Sequence, residues 1–83
     1  MKNIDIKNQL RDFIITDILK DKNYKLDFSD TLISSGLIDS FSLVNIAVFI
    51  EKEIGISIPD SELTIETMDT IESMYQNILK NKN

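Results

Sequence analysis

Ser40 is the residue whose surroundings suggest chemistry. It stands in the run Gly36-Leu37-Ile38-Asp39-Ser40-Phe41-Ser42-Leu43, where a glycine turn, an acid and a serine precede a long apolar-periodic segment. That order places a primary hydroxyl at the exposed start of a helix, where unpaired amides and the macrodipole favour a negatively charged substituent. The chain contains no histidine, so no default base near neutral pH is at hand to make Ser40 a nucleophile. The glycines of a nucleophile elbow are missing around it, and a triad histidine does not exist. Two roles stay open on residue type alone: a helix cap, or a hydroxyl that another enzyme modifies. A catalytic serine is not one of them. Metal chemistry has no better footing. There is no cysteine for a thiolate site, and no segment has the Asp-x-Asp-x-Asp-Gly spacing of a calcium loop. Neither catalytic nor metal-ligating residues are therefore assigned.

The elements that must position Ser40 follow from periodicity and punctuation. From Ile4 to Lys20, Ile6, Leu10, Phe13, Ile14 and Ile18 recur at helical spacing, with Lys7, Arg11, Asp12 and Asp17 elsewhere on the wheel, which predicts an amphipathic helix. Asp21 to Ser35 has no sustained period. It carries isolated apolar residues (Tyr24, Leu26, Phe28, Leu32, Ile33) and reads as a long loop pinned to the core by them, with room for a turn of helix; loops of that length are often functional. A second helix is predicted from about Ser40 to Ile54, with Asp39 as N-cap and Gly55 as stop. Leu43, Ile46, Ala47, Ile50 and Ile54 share its inward face. Ile56 to Asp60 is an extended link, and Asp60-Ser61-Glu62-Leu63 suits one short helical turn after Pro59. The last helix is predicted over Met68 to Leu79, with Thr67 as its N-cap and Met68, Ile71, Met74, Tyr75 and Ile78 facing inward. Nothing reads as a strand of consequence. The expected fold is all-α: a small bundle of three main helices plus one short one, with the long loop between helices 1 and 2. Residues 1–83 form one domain, a size that buries roughly 60% of its unfolded surface.

The second helix has more apolar surface than a core helix requires. Phe41, Val44 and Val48 project away from the Leu43/Ile50 face, at about 100° per residue. Rimmed by Asp39, Glu51 and Glu53 and next to a helix N-terminus, they form a candidate recognition patch. The competing expectation is that the long loop covers them.

At this point the residues carry a resemblance. The chain resembles the acyl carrier proteins, small helical bundles bearing a 4′-phosphopantetheine arm on a serine that opens the second helix. The family's Asp-Ser-Leu type sequence stands here as Asp39-Ser40-Phe41, preceded by Gly36-Leu37-Ile38 and followed by Leu43. Downstream, Glu51-Lys52-Glu53-Ile54-Gly55-Ile56-Ser57-Ile58-Pro59-Asp60 is similar to the family's acidic helix end, glycine, extended link and Ile-Pro-Asp, and the final helix opens at Thr67-Met68 where the family's does. The resemblance covers most of the chain and implies a single acyl-carrier-like domain. It implies that Ser40 is the attachment point of 4′-phosphopantetheine delivered from coenzyme A by a phosphopantetheinyl transferase. It further implies that Asp39, Phe41, Val44, Val48 and Glu51 serve transferase and partner recognition. The arm's thiol would then hold an acyl group as a thioester. Ala47, Ile50, Ile54, Ile58, Leu63, Ile71 and Met74 are candidates for an apolar interior sheltering that acyl chain, and methionine suits such adaptable packing; ordinary core is the bland role of each.

Partners implied by the resemblance are a loading ligase for acyl or aminoacyl groups and downstream acyl-processing enzymes of lipid or polyketide biosynthesis. Phe41 replaces the family's commoner leucine or methionine, and Asn45, Val48 and Lys52 stand where fatty-acid carriers are strongly acidic. A D-alanyl or peptidyl carrier loaded by a dedicated adenylating ligase fits the Gly36–Ser40 stretch equally. From another class, a plain interaction bundle docking through Phe41 and Val48 also accounts for the pattern. Charge narrows the partners. The net charge is −5, and from Asp30 to Glu72 the only base is Lys52, an acidic centre that argues against nucleic acid and anionic membrane and favours partners with basic patches. The cysteine-free composition, the absence of a membrane-length apolar run and the polar start Met1-Lys2-Asn3-Ile4-Asp5 lead to the expectation of a soluble, cytoplasmic monomer.

Overall fold

The computed structural model describes residues 3–82; Met1 and Lys2, part of the N-terminal reading above, lie outside them. Helix α1 spans Asn3–Phe13 and runs directly into a wider turn, Ile14–Ile18. There the Leu19 N–H donates to the Ile14 carbonyl at 2.8 Å, and the Asp21 N–H to that of Ile15 at 2.8 Å. The first is an i→i+5 bond, whose wider turn admits one extra residue, and the second spans six residues at the helix end. Both Ile14 and Ile15 thereby enter the core, whereas Phe13 and Ile18, predicted to face inward, are only partly buried. The helix ends at Ile18 rather than Lys20, whose backbone is left-handed with φ 54°, a conformation that costs an L-residue roughly 1–2 kcal/mol.

The irregular stretch that follows extends as far as Phe41, beyond the predicted Ser35. Leu26, Leu32 and Ile38 are buried in the core, and Phe28 and Ile33 pack against it. Tyr24 is not an anchor; it is exposed. The loop does hold a turn, closed by the Gly36 N–H on the Ile33 carbonyl at 3.0 Å, and Gly36 takes the positive φ of 83° that this turn requires. Helix α2 spans Ser42–Phe49 and widens, like α1, into an i→i+5 segment, Ile50–Ile54, ended by Gly55. Leu43, Ile46 and Ile50 are buried as predicted, while Ala47 and Ile54 are only partly so. The widened turn rotates Ile54 away from the line of Ile46 and Ile50.

After Pro59, Asp60–Glu62 forms a single 3₁₀ turn. The predicted last helix is in fact two, α3 over Ile65–Met68 and α4 over Ile71–Lys80. Thr67 does not cap the long helix. It sits in the first turn of α3, in a reciprocal capping box with Thr64. Thr70 caps α4, accepting from the Ser73 N–H at 2.9 Å. The extended backbone of Thr70 (φ −132°, ψ 161°) exchanges helical continuity for that side-chain bond, as short hydroxyl residues do. Met68, Ile71, Met74, Tyr75 and Ile78 are all buried, as predicted.

The fold is thus an all-helical bundle with no strand among the described residues. Helix α1 packs against both α2 and α4, and α3 against α4. Leu10, Ile14, Leu32, Ile46, Ile50, Met68, Ile71, Met74 and Ile78 are fully enclosed between them, and each such side chain contributes roughly 1.5–3 kcal/mol of burial.

Candidate functional site

Two anchors hold the chain on either side of Ser40. Upstream, the Ile38 N–H donates to the Leu32 carbonyl at 2.9 Å and the Ile38 side chain is buried. Downstream, Leu43 enters the core at the first turn of α2. Ser40 lies between them in an exposed turn. Helix α2 begins two residues later than expected, at Ser42, so its N-cap position is Phe41, without a side-chain cap, and Asp39 closes the turn before the helix instead. The Asp39 carboxylate accepts from the Ser42 N–H at 3.1 Å and from the Ser42 hydroxyl at 3.3 Å. A tight turn then leads into the helix: the N–H groups of Ser42, Leu43 and Val44 donate to the carbonyls of Asp39, Ser40 and Phe41 at 3.2, 3.2 and 3.3 Å. These three amides are engaged within the turn, whereas the N–H groups of Ser40 and Phe41 donate to no protein acceptor among the described residues. The macrodipole of α2 remains, and it favours an anion on Ser40.

The loop carrying Ser40 is tied down from across the molecule. Asp69, between α3 and α4, accepts at Oδ1 from the N–H groups of Leu32, Ile33 and Ser34 at 3.2, 2.8 and 3.0 Å, and at Oδ2 from the Ser34 hydroxyl at 2.6 Å. The Leu32 N–H also reaches the Asp69 carbonyl at 2.7 Å. The Ser34 hydroxyl, the largest influence, lowers the Asp69 carboxyl's pKa; desolvation, second in size, raises it, and the amides of Ser34, Ile33 and Leu32 lower it again, leaving it below its ordinary value. A second tie is cationic. Lys7 on α1 meets both carboxylate oxygens of Glu72 on α4 at 2.7 Å, and lies over the rings of Tyr75 (5.0 Å) and Phe28 (5.7 Å). Sequence reading missed both ties, because each joins residues far apart in the chain.

The predicted recognition patch is not covered by the loop. Phe41 is 83% exposed, Val44 58% and Val48 48%; elsewhere Ile65, at the start of α3, is 47% exposed. Asp39 and Glu51 are exposed as well. Val48 also borders a cleft of about 750 Å³ between α1 and α2. The stacked rings of Phe13 and Phe49, with centroids 4.4 Å apart and planes 20° apart, line this cleft. Among the candidates for an acyl interior, Ile50, Ile71 and Met74 have no exposure and Ile58 little, while Ala47, Ile54 and Leu63 are partly exposed. None of the seven lines that cleft or the groove at Ser40.

Ser40 itself borders a shallow groove of about 600 Å³. Its apolar walls are Ile18 and Leu19 after α1, Ile33, Leu37 and Ile38 from the loop, and Ile65 from α3; Gly36, Asp39 and Ser42 complete it with backbone, carboxylate and hydroxyl. Ile18, Leu37 and Ile65 escaped the sequence reading. Ile65 is isolated between Thr64 and Glu66 and belongs to no apolar period, and Ile18 and Leu37 were assigned no role in the site.

An exposed serine hydroxyl beside a helix start, with a shallow groove of mixed polarity at its foot and no histidine in the chain, can accept a group but not activate itself. The family model described as "Phosphopantetheine attachment site" matches residues 9–78. The D-alanyl carrier protein of Bacillus pumilus (strain SAFR-032) is 28% identical to the chain over 79 residues, spanning 95% of this chain and all of that protein. No solved structure gives a significant match. Among the described residues, no helix is long and apolar enough to cross a membrane.

Proposed function

The chain belongs to the family of phosphopantetheine-binding carrier proteins, whose prosthetic group is covalently attached 4′-phosphopantetheine, and from that premise we propose that Ser40 carries the arm. The observation behind this reading is the exposed Ser40 hydroxyl in the turn that opens α2, held between the Ile38 and Leu43 anchors. With no histidine in the chain, the base that takes the Ser40 proton belongs to the transferase, and the protein acts as substrate rather than enzyme. When attached, the arm supplies a thiol that holds cargo as a thioester. This chain's residues do the rest: Asp39 fixes the turn through Ser42, the α2 dipole favours the phosphodiester charge, and Phe41, Val44 and Val48, with Asp39 and Glu51 at the rim, offer partners an apolar footing. Incubation with coenzyme A and a phosphopantetheinyl transferase should add the mass of one arm, and Ser40→Ala should abolish the gain. No gain with several transferases would refute the assignment.

The cargo that fits best is a small aminoacyl group, D-alanine being the specific candidate. The whole-length match to a protein named as a D-alanyl carrier supports this reading, as does the exposed row Asn45, Val48 and Lys52 on α2 in place of a strongly acidic face. An adenylating ligase would then load the thiol at the expense of ATP, which with the coenzyme A requirement implies a cytoplasmic carrier. Thioester formation on the holo-protein by a D-alanine-activating ligase, compared with a fatty-acyl ligase, distinguishes this cargo from a longer acyl chain.

A further inference from the structure

We propose that the cleft between α1 and α2 is a docking site for an arginine-bearing segment of a partner protein. The inference stands apart from the attachment reading, since no step of it passes through Ser40. The cleft measures about 750 Å³, and the same device builds it on both sides. Phe13 and Phe49 each close the regular part of their helix, and each is followed by a wide turn, Ile14–Ile18 and Ile50–Ile54. The two rings stack on one another and both border the cleft. Thr16 and Asp17 from one wide turn and Lys52 and Glu53 from the other form its sides. Wide turns of this kind recur at functional sites.

Three observations fix the chemistry of the occupant. First, the walls carry the carboxylates of Asp12, Asp17 and Glu53 against the single ammonium of Lys52. Among the described residues, ion pairs join Lys7 to Glu72 and Lys80 to Glu62 only, so no neighbour neutralises the three acids. Second, the cleft takes in the C-terminal turns of both α1 and α2, where the macrodipoles are negative and favour a cation. Third, Gln9 Oε1 in the cleft wall is shielded from solvent and accepts no hydrogen bond, an acceptor left without its donor. Arginine answers all three. Its guanidinium carries five donors, pairs with carboxylates through a planar fork and packs on aromatic faces. Half-buried Phe13 and Phe49 leave apolar surface for its stem and for an aliphatic neighbour. Val48 belongs both to the cleft and to the exposed patch on α2, so one partner can cover the two together.

The test titrates the isotopically labelled full chain with an acetylated, amidated peptide of alternating arginine and leucine. A second peptide carries citrulline for each arginine, which keeps the shape and loses the charge. The arginine peptide should give saturable shifts of the Phe13, Thr16, Phe49 and Lys52 amide signals, and the citrulline peptide should bind about tenfold more weakly. Asp12→Asn, Asp17→Asn and Glu53→Gln together should weaken the arginine peptide by about tenfold, the sum of three exposed ion pairs, with an unchanged denaturation midpoint. Asp60→Asn with Glu66→Gln, carboxylates outside the cleft, should leave the affinity as it was. Equal affinity for the two peptides would overturn the proposal, as would shifts confined to the Asp60–Glu66 region or no saturation at millimolar peptide. Concentration-dependent broadening of the cleft signals without peptide would assign the cleft to a second copy of the chain and overturn it too.

Discussion

The Ser34 hydroxyl donates to the Asp69 carboxylate at 2.6 Å, joining residues 35 positions apart in the chain. Through Asp69 the turn between α3 and α4 holds the three successive amides of Leu32, Ile33 and Ser34, and Leu32 in turn receives the Ile38 N–H two residues before Ser40. One carboxylate thus sets the height of the loop that delivers the modification site.

Asp69→Ala should therefore cost about 1–2 kcal/mol, as loss of a capping carboxylate does, with the extra mobility confined to 31–38 in hydrogen exchange. The pH dependence has a definite sign. The folded-state pKa of Asp69 lies below its unfolded value, so its contribution is complete above the unfolded value, near pH 4, and is lost as pH falls through the folded one. Denaturation midpoints measured down through the acid range should fall less steeply in Asp69→Asn than in the parent. Equal slopes would show that Asp69 does not contribute.

Lys7 is held by both oxygens of Glu72 and by the faces of Tyr75 and Phe28. Lys7→Met preserves the aliphatic stem and removes the charge, and should destabilise by about 1 kcal/mol, equivalent to about 4–8 °C in a domain of this size. A double-mutant cycle with Glu72→Gln isolates the ion pair. Its coupling should shrink in high salt while the aromatic part persists.

Asn77 is buried in the inward face of α4. Its Nδ2 donates to the Glu62 carbonyl at 3.1 Å and its Oδ1 accepts from Asn81 at 2.9 Å, fastening the 3₁₀ turn to α4. Asn77→Ala should cost about 1–3 kcal/mol. Asn77→Asp keeps the shape but removes the donor and buries charge, so it should cost at least as much near neutral pH. Urea midpoints of the two variants measure the difference.

How far the chain could be read in advance depended on the range of the interaction. The helices and their inward faces rest on local periodicity, and Leu10, Leu43, Ile46, Ile71 and Ile78 lie in the core where the spacing places them. The break between α3 and α4 was missed because Asp69 and Thr70 are compatible with a continuing helix; the bonds from Asp69 to Ile33 and from Thr70 to Ser73 decide against it. The wider turns at Ile14 and Ile50 have no residue signature comparable to glycine or proline. At the site, the exposure of Phe41, Val44 and Val48 follows from the helical wheel. The contribution of Ile18, Leu37 and Ile65 does not, since three separate elements bring them to Ser40.

Asp39 has two separable roles. Its carboxylate accepts from the N–H and hydroxyl of Ser42, and in the proposed function it also faces the transferase. Asp39→Asn retains an acceptor for the Ser42 amide and should leave stability within about 0.5 kcal/mol, yet slow arm transfer. Asp39→Ala should lose about 1 kcal/mol of stability as well. If both variants load at the parent rate, Asp39 closes the turn and does nothing more.

Phe41 gives the sharpest separation of fold from function. With 83% of its surface exposed it contributes little to the core, so Phe41→Ala should shift stability by less than about 0.5 kcal/mol. Exposed aromatic residues are costly to a monomer and valuable at interfaces, where truncation of an anchoring ring removes about 2 kcal/mol or more. In the proposed carrier, Phe41 is adjacent to the loaded serine and is the largest apolar group a partner meets on approach. Phe41→Ala should therefore lower kcat/KM of the loading ligase by about thirtyfold, mostly through KM, with the Ser40 mass gain still reaching completion. Val48→Ala, further along α2, should have a smaller effect in the same direction. Unchanged ligase kinetics in Phe41→Ala would place the partner footprint elsewhere, whereas a lowered denaturation midpoint would show that the ring supports the fold.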